Sequence, residues 1–497
     1  MLENLALGLS VAFTTQNLAF AFFGCLIGTA IGVLPGVGPV ATISLLLPMT
    51  FGLDPITAMI MLAGIYYGAQ YGGSTSAILL NLPGEVTAVV TTLEGHKMAR
   101  AGRAGAALAV AAIGSFFAGT VATLVVAAAG PLLTSVAMSF GPAEYFSLIL
   151  LGLIAATVLA QGNMFKSLAM IVVGLLLGLA GTDLQSGQIR FTLGFPQLFE
   201  GVGFVPLAMG LFGIAEIIRN LECPENRSGT ISRVGSLWLT KKEFARSVPP
   251  VLRGTALGSL LGILPGGGLA LSTFASYMLE RKVSKYRDEF GQGAIEGVAG
   301  PESANNAASQ TSFIPMLTLG IPANAVMALM IGALMIQGIQ PGPRMIEEQP
   351  TLFWGLIASM WIGNLMLLII NLPLIGIWVS LLKVPYKYLY PAILVFCGIG
   401  AYSVNNAAFD IYQTVLFGFV GYVLIKLEFE PAPLLIGFVL GPLLEENLKR
   451  AMVLSRGDVS VFIERPVSAA FLILGMLALA AMILPAIRRK KDEALAE

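Results

Sequence analysis

The sequence predicts an all-α polytopic membrane protein, with about 10–12 transmembrane helices plus re-entrant hairpins, built as two internal repeats of inverted topology. Three observations predict it. Of 497 residues, 56% are hydrophobic and only 11% charged, against about 25% charged in soluble domains, so the surplus apolar surface must face lipid. Apolar stretches long enough to span the hydrocarbon core recur along the whole chain. One Gly/Pro-broken motif occurs twice at a constant offset.

Spanning segments are expected near 17–34, 55–71, 103–129, 142–160, 164–181, 202–219, 249–264, 322–339, 351–382, 389–404, 408–427 and 467–487. The stretch 351–382 exceeds one span, and Asn371 and Pro373 predict a break inside it. Shorter apolar runs near 40–51, 76–82, 268–279, 312–321 and 432–444 each abut Gly or Pro. They read as re-entrant hairpins or half-helices. In lipid, such unwound backbone survives only where protein or a water-filled cavity surrounds it, so these runs point to an internal site.

A polar segment, 220–248, separates the half 1–219 from the half 249–497. It carries Arg227, Arg233, Lys241, Lys242 and Arg246, and the chain closes on RRKKDEALAE. Both regions are expected on the cytoplasmic side by the positive-inside rule. WLTKKEFARS within the segment reads equally well as a membrane-surface helix or a solvated linker. The start, MLENLALGLS, lacks a basic region and carries Glu3, so the first span is expected to act as an uncleaved insertion signal.

Composition also excludes chemistry. The formal net charge is zero, which gives no basis for binding nucleic acid. Cys25, Cys223 and Cys397 are far apart and form no CxxC, which argues against a disulfide framework or metal cluster. His96 is the only histidine, so His-based triads, His-ligated zinc and haem ligation fall away. No catalytic residue, resident metal or cofactor is expected. A polytopic enzyme would need a nucleophile–base pair or paired aspartates that the chain does not display. A channel would show a short pore motif repeated by oligomerisation. A non-translocating scaffold subunit is the remaining alternative.

The repeat carries most of the functional reading. Gly24, Gly28, Gly32, Leu34, Pro35, Gly36 and Gly38 recur as Gly254, Gly258, Gly262, Leu264, Pro265, Gly266 and Gly268. Each copy is an apolar helix with Gly at every fourth position, a face that another backbone can approach closely. Each ends in Leu-Pro-Gly-x-Gly, where Pro stops the ladder and Gly permits unusual dihedrals. A second polar element follows in each half, YGGSTSAILLNLPG at 71–84 and PESANNAASQTSFIPMLTLGIP at 301–322. Each holds a Thr-Ser pair (Thr75-Ser76, Thr311-Ser312), an apolar run and a hydrophobic-Pro step, with spacings that differ by three residues. Interrupted segments in corresponding halves are the sequence signature of a transporter site at the bilayer midplane. The second copy follows a basic segment and the first follows an N-terminus without Lys or Arg, hence the inverted topology.

At these residues the chain resembles a known family, the large membrane subunit (TctA) of the tripartite tricarboxylate transporters. The resemblance rests on GVLPGVGP (32–39), YGAQYGGSTSAILLNLPGE (67–85), EGHKMARAGRAG (94–105), GILPGGG (262–268) and GPESANNAASQTSFIPMLTLGIP (300–322), and it extends over nearly the whole chain. It implies residence in a bacterial inner membrane, a periplasmic solute-binding protein that delivers substrate, and a small membrane subunit. It also implies uptake of citrate-like tricarboxylates or related organic acids, driven by a cation gradient, typically Na⁺, and not by ATP. A homodimer is among the assemblies it allows.

A carboxylate needs donors and Na⁺ needs oxygens. Helix N-termini supply N–H groups, and unwound carbonyls supply oxygens. The expected substrate and ion site therefore combines the tips Pro35, Gly36, Gly38, Pro265, Gly266 and Gly268 with Ser74, Thr75, Ser76, Asn81, Asn305, Asn306, Ser309, Thr311 and Ser312. Helix capping or interhelical hydrogen bonding is the plain alternative for these hydroxyls. Glu302 is read either as an intramembrane acid that binds Na⁺ or a proton, or as a loop carboxylate that caps the next helix. Glu85, Asp54, Glu144 and Glu216 read as structural, and Lys97, Arg100 and Arg103 as topological.

Overall fold

The computed structural model describes residues 2–34, 38–160, 163–183, 186–222, 234–382 and 386–483. Pro35 and Gly36, Cys223, Arg227, Arg233 and the basic C-terminal end lie outside the described residues. The fold is all-α, with a single two-stranded antiparallel pair, β1 (Gly181–Thr182) and β2 (Ile189–Arg190), among the described residues.

The first half comprises α1 (Leu2–Ala12), α2 (Thr15–Val33), α3 (Pro39–Leu46), α4 (Pro55–Leu80), α5 (Ala104–Ala137), α6 (Pro142–Leu159), α7 (Met164–Gly178) and α8 (Phe204–Glu222). The second comprises α9 (Lys241–Leu261), α10 (Gly268–Val283), α11 (Glu296–Thr311), α12 (Phe313–Leu319), α13 (Ala325–Ile336), α14 (Pro350–Asn371), α15 (Ile375–Leu381), α16 (Tyr386–Asn405), α17 (Ala408–Lys426), α18 (Pro431–Leu454) and α19 (Pro466–Ile483). Five helical runs are long and apolar enough to cross a membrane: Thr15–Val33, Ala99–Ala137, Phe204–Glu222, Pro350–Asn371 and Ala408–Lys426. Large apolar side chains such as Leu124, Leu132, Val415, Leu416 and Phe419 project outward from them, as lipid-facing residues do. The expected break in 351–382 is present: α14 ends at Asn371 and α15 begins at Ile375.

The duplicated glycines each press a helix against a partner backbone. A methyl group added at Gly24, Gly28 or Gly32 would lie 2.4, 2.4 and 2.3 Å from the carbonyl oxygens of Met61, Ile65 and Ala69 on α4. At Gly254, Gly258 and Gly262 it would lie 2.2, 2.2 and 2.4 Å from those of Gly300, Ala304 and Ala308 on α11. Only hydrogen fits at these six positions. Without a hydrophobic force between helices in lipid, this close contact is what binds them.

The second elements, expected as re-entrant hairpins or half-helices, run as helix up to a left-handed break. Thr75 and Ser76 lie near the end of the 26-residue helix α4. Their hydroxyls donate to the carbonyls of Tyr71 and Gly73 one turn back, so the polar run continues the helix instead of breaking it. The break comes at Asn81, which is left-handed with φ 59°. In the second half, α11 passes through Ser312 into α12, and the break comes at Gly320 with φ 70°. Likewise the run 268–279 belongs to the 16-residue helix α10, and 432–444 belongs to the 24-residue helix α18.

The correspondence between halves differs from the sequence alignment for a physical reason. The partners of the glycines (Met61 to Gly300, Ile65 to Ala304, Ala69 to Ala308), the left-handed residues (Asn81 to Gly320) and the prolines (Pro83 to Pro322) all share an offset of 239. Backbone conformation and close packing keep this register. The two Thr-Ser pairs do not occupy equivalent positions in it, which accounts for the three-residue discrepancy.

Candidate functional site

Helix α11 is the centre of the site. All sixteen of its residues, EGVAGPESANNAASQT, are buried, although eight of them are polar or charged. Buried polar groups need partners, and helices α4 and α5 with the segment 85–91 supply them. From α4, Ser74 Oγ donates to Glu302 Oε2 at 2.8 Å, while Ser309 Oγ donates to Gln70 Oε1 at 2.8 Å. From α5, Ser115 Oγ accepts from Asn306 Nδ2 at 2.7 Å. From the end of the first broken element, Glu85 accepts from Thr87 Oγ1 at 2.6 Å and Asn305 Nδ2 at 3.5 Å. Thr91 Oγ1 donates to Glu302 Oε1. Helix α14 joins through Asn364, whose Oδ1 accepts from Tyr71 OH at 3.2 Å. Glu302 is therefore a mid-helix residue and not a loop carboxylate at a helix start.

Gly38 and Gly266, from the described part of each tip, reach the same region. Gly266, at φ 96°, donates its N–H to the carbonyl of Ala323, just beyond the second break, at 2.7 Å. A methyl group at Gly38 would lie 3.4 Å from the carbonyl oxygen of Gly84, just beyond the first break. Gly38 and Gly267 are the residues that precede α3 and α10, so each tip offers a helix N-terminus. Pro265 precedes the second tip and Gly268 opens α10.

Several buried polar atoms at this seam lack a partner: Gln70 Nε2, Asn324 Nδ2, Asn305 Oδ1, Gln310 Oε1 and the Tyr66 and Tyr67 hydroxyls. Native interiors hold few such atoms, and each asks for an explanation. Both tyrosine rings rest against Phe313 on α12, with centroids 6.4 and 6.0 Å away. Asn324 caps α13 by accepting from Met327 N at 3.0 Å, which leaves its amide N–H groups over. It stands 239 residues after Glu85, which precedes a short turn of helix in the same way.

Of the residues expected from sequence, Ser74, Asn305, Asn306, Ser309 and Glu302 converge here. Thr75, Ser76, Thr311 and Ser312 have hydroxyls that bond carbonyls of their own helices. Asn81 contributes its left-handed backbone. Gln70, Tyr66, Asn324, Ser115 and Thr91 were missed. Gln70 sits one turn before Ser74, and Asn324 follows the Ile-Pro step, so register within the repeat is the signal that could have found them. Other charges are structural. Glu144 bonds Gly141 N at 2.9 Å and pairs with Arg465 at 3.0 Å. Arg103 pairs with Glu243 at 2.9 Å. Arg246 pairs with both Glu289 and Glu296. The Glu296 carboxylate holds that guanidinium above its ordinary pKa, so it stays charged at any physiological pH.

The chain is thus a multi-pass membrane protein with a buried polar seam between packed helices. The sequence profile of the tripartite tricarboxylate transporter TctA family matches residues 18–436. The chain belongs to that family, the large membrane subunit of tripartite tricarboxylate transporters. The family implies a periplasmic binding protein and a small membrane subunit as partners. Two relatives come from Agrobacterium vitis. One, described as an uncharacterized 52.8 kDa protein in the TAR-I ttuC' 3' region, is 59% identical over 497 residues, 100% of this chain and 99% of its own. The other, an uncharacterized protein in the TAR-II ttuC' 3' region, is 62% identical over 240 residues, 48% of this chain and 99% of its own. No solved structure matches.

Proposed function

We propose that this chain is the translocating subunit of a secondary importer for tricarboxylates or related small organic acids, coupled to a cation gradient, with Na⁺ as the ion. It sits in a bacterial inner membrane, spans it with about 10–12 helices in two inverted repeats, and receives its solute from the periplasmic binding protein. The observation that carries this reading is the fully buried polar helix α11 facing α4. A scaffold has no use for a polar helix in its interior, where apolar packing is at least as stable. A transporter needs groups that bind and let go. The leftover donors of Gln70, Asn324 and Tyr66 suit a carboxylate, which accepts and never donates. Neutral donors hold it without the deep trap of a fixed buried charge.

The test is uptake into proteoliposomes that contain this chain and the small membrane subunit, with the ligand-loaded binding protein outside and an imposed Na⁺ gradient. Accumulation that disappears when the gradient is collapsed supports the reading. Absence of uptake under every imposed cation gradient would leave the scaffold role.

A further inference from the structure

Glu302 is 2% exposed. Its carboxylate receives two hydroxyls, from Ser74 and Thr91, and no Lys, Arg or His pairs with it among the described residues. The other acid at the seam, Glu85, meets Asn305 and Thr87 and brings no positive charge. An ionised carboxylate left alone in a low-dielectric interior is too unfavourable to persist. It must carry either a proton or a bound cation.

Beside it lies a small cavity of about 20 Å³, between α4, α5, α11 and α14. That is room for about one water molecule, or one ion of similar size. Its polar lining is Tyr71, Ser74, Thr75, Ser115, Glu302 and Asn371, and its remaining wall is apolar. Asn371 is 4% exposed, and its Nδ2 donates to the carbonyl of Leu367 at 2.9 Å. Its Oδ1 has no partner. A proton on Glu302 would neutralise the charge and leave this oxygen unused. One cation in the cavity answers both.

We propose that this cavity binds a single dehydrated Na⁺ ion, held by the Glu302 carboxylate and Asn371 Oδ1 with hydroxyls from Ser74 and its neighbours. The acceptors in the lining are all oxygens, as a hard cation requires, and it carries one negative charge, which matches a monovalent ion. Ca²⁺ and Mg²⁺ favour more carboxylates and larger or octahedral oxygen sets. Asn371 is the last residue of α14, so the break that follows it sets the position of the oxygen. The site rests on the cation-coupled reading above and gives the ion an address one helix turn from Asn305 and Asn306.

The experiment is equilibrium binding of radiolabelled Na⁺ to the purified full-length chain, with no binding protein and no organic acid present. Saturable binding is expected, with Glu302→Gln and Asn371→Leu each weakening it about tenfold or more. Glu216→Gln, on a different helix, should bind as the wild type does. Where Glu302→Gln fails to fold, Asn371→Leu decides alone. Unchanged Na⁺ affinity in the folded variants would overturn the proposal. So would a wild type that is stabilised by lowering pH and is indifferent to Na⁺, which would make Glu302 a proton site. Na⁺ binding without uptake would spare this site and remove the transport function. Uptake with Na⁺ affinity indifferent to both variants would do the reverse.

Discussion

Gly258→Ala tests the backbone contact on which the buried seam depends. The added methyl would sit 2.2 Å from the carbonyl oxygen of Ala304 and 2.8 Å from its Cα, where ordinary contact begins at 3.4 Å. Neither atom is the end of a flexible side chain, so relief requires α9 to withdraw from α11 by roughly 1 Å. Gly254 and Gly262 meet the same helix at 2.2 and 2.4 Å, so the withdrawal spreads along three turns. Overpacking of this kind costs about 1–3 kcal/mol. It also shifts Asn306 and Ser309 relative to Ser115 and Gln70, whose bonds to them are 2.7 and 2.8 Å long and tolerate little displacement. The expected outcome is a lower melting temperature in detergent and a several-fold loss of uptake in proteoliposomes. Gly376→Ala is the control, since a methyl group there would meet nothing within 4 Å. If Gly258→Ala matched Gly376→Ala in both measurements, the close-packing argument would be wrong.

Four further outcomes follow from the same geometry. Gln70→Ala and Asn324→Ala remove unpaired donors and should raise the KM for uptake about tenfold, near the value of one charge-assisted hydrogen bond, with membrane insertion unchanged; normal kinetics in both would take these residues out of the site. Asn305→Ala should lower uptake, whereas Thr311→Ala, whose hydroxyl is satisfied within its own helix, should lower it less; equal effects would contradict this assignment. Glu94→Gln should free the segment 291–294, since one carboxylate accepts from Tyr277 OH and from the N–H groups of Gly291, Gly293 and Ala294; a loss of about 1.5–3 kcal/mol is expected, read as faster proteolysis there. Arg246→Ala strands the buried Glu296 carboxylate and should destabilise the chain by about 3–5 kcal/mol, read in its melting curve.

Much of this architecture was legible because lipid imposes strong rules on sequence. The break after Asn371 could be read from Pro373, and the glycine faces from fourfold spacing. The continuity of helix through the Thr-Ser runs was not legible, because a run of Ser, Thr and Gly looks like a chain interruption when judged alone. Inside α4 those hydroxyls bond back to Gln70, Tyr71 and Gly73 and leave the helix intact. Of the two readings of Glu302, the loop carboxylate fails for the same reason: GPESANN reads as solvated until tertiary burial encloses it. The unpaired atoms of Tyr66, Gln70 and Asn371 could not be read from sequence, because what a side chain fails to bond is set by three-dimensional packing.

The two tips are twins of unequal reach. The glycine helices correspond at an offset of 230 (Gly24 to Gly254) and the polar helices at 239 (Asn81 to Gly320), so nine extra residues lie between them in the second half. They lengthen the helix after the tip, from eight residues in α3 to sixteen in α10. Near the far end of that longer helix, buried Glu280 clasps Arg253 in the middle of α9, and α3 is too short to offer a counterpart. The halves are thus not interchangeable, and a chimera that swaps one tip for the other must bring along both the extra length and its anchoring pair.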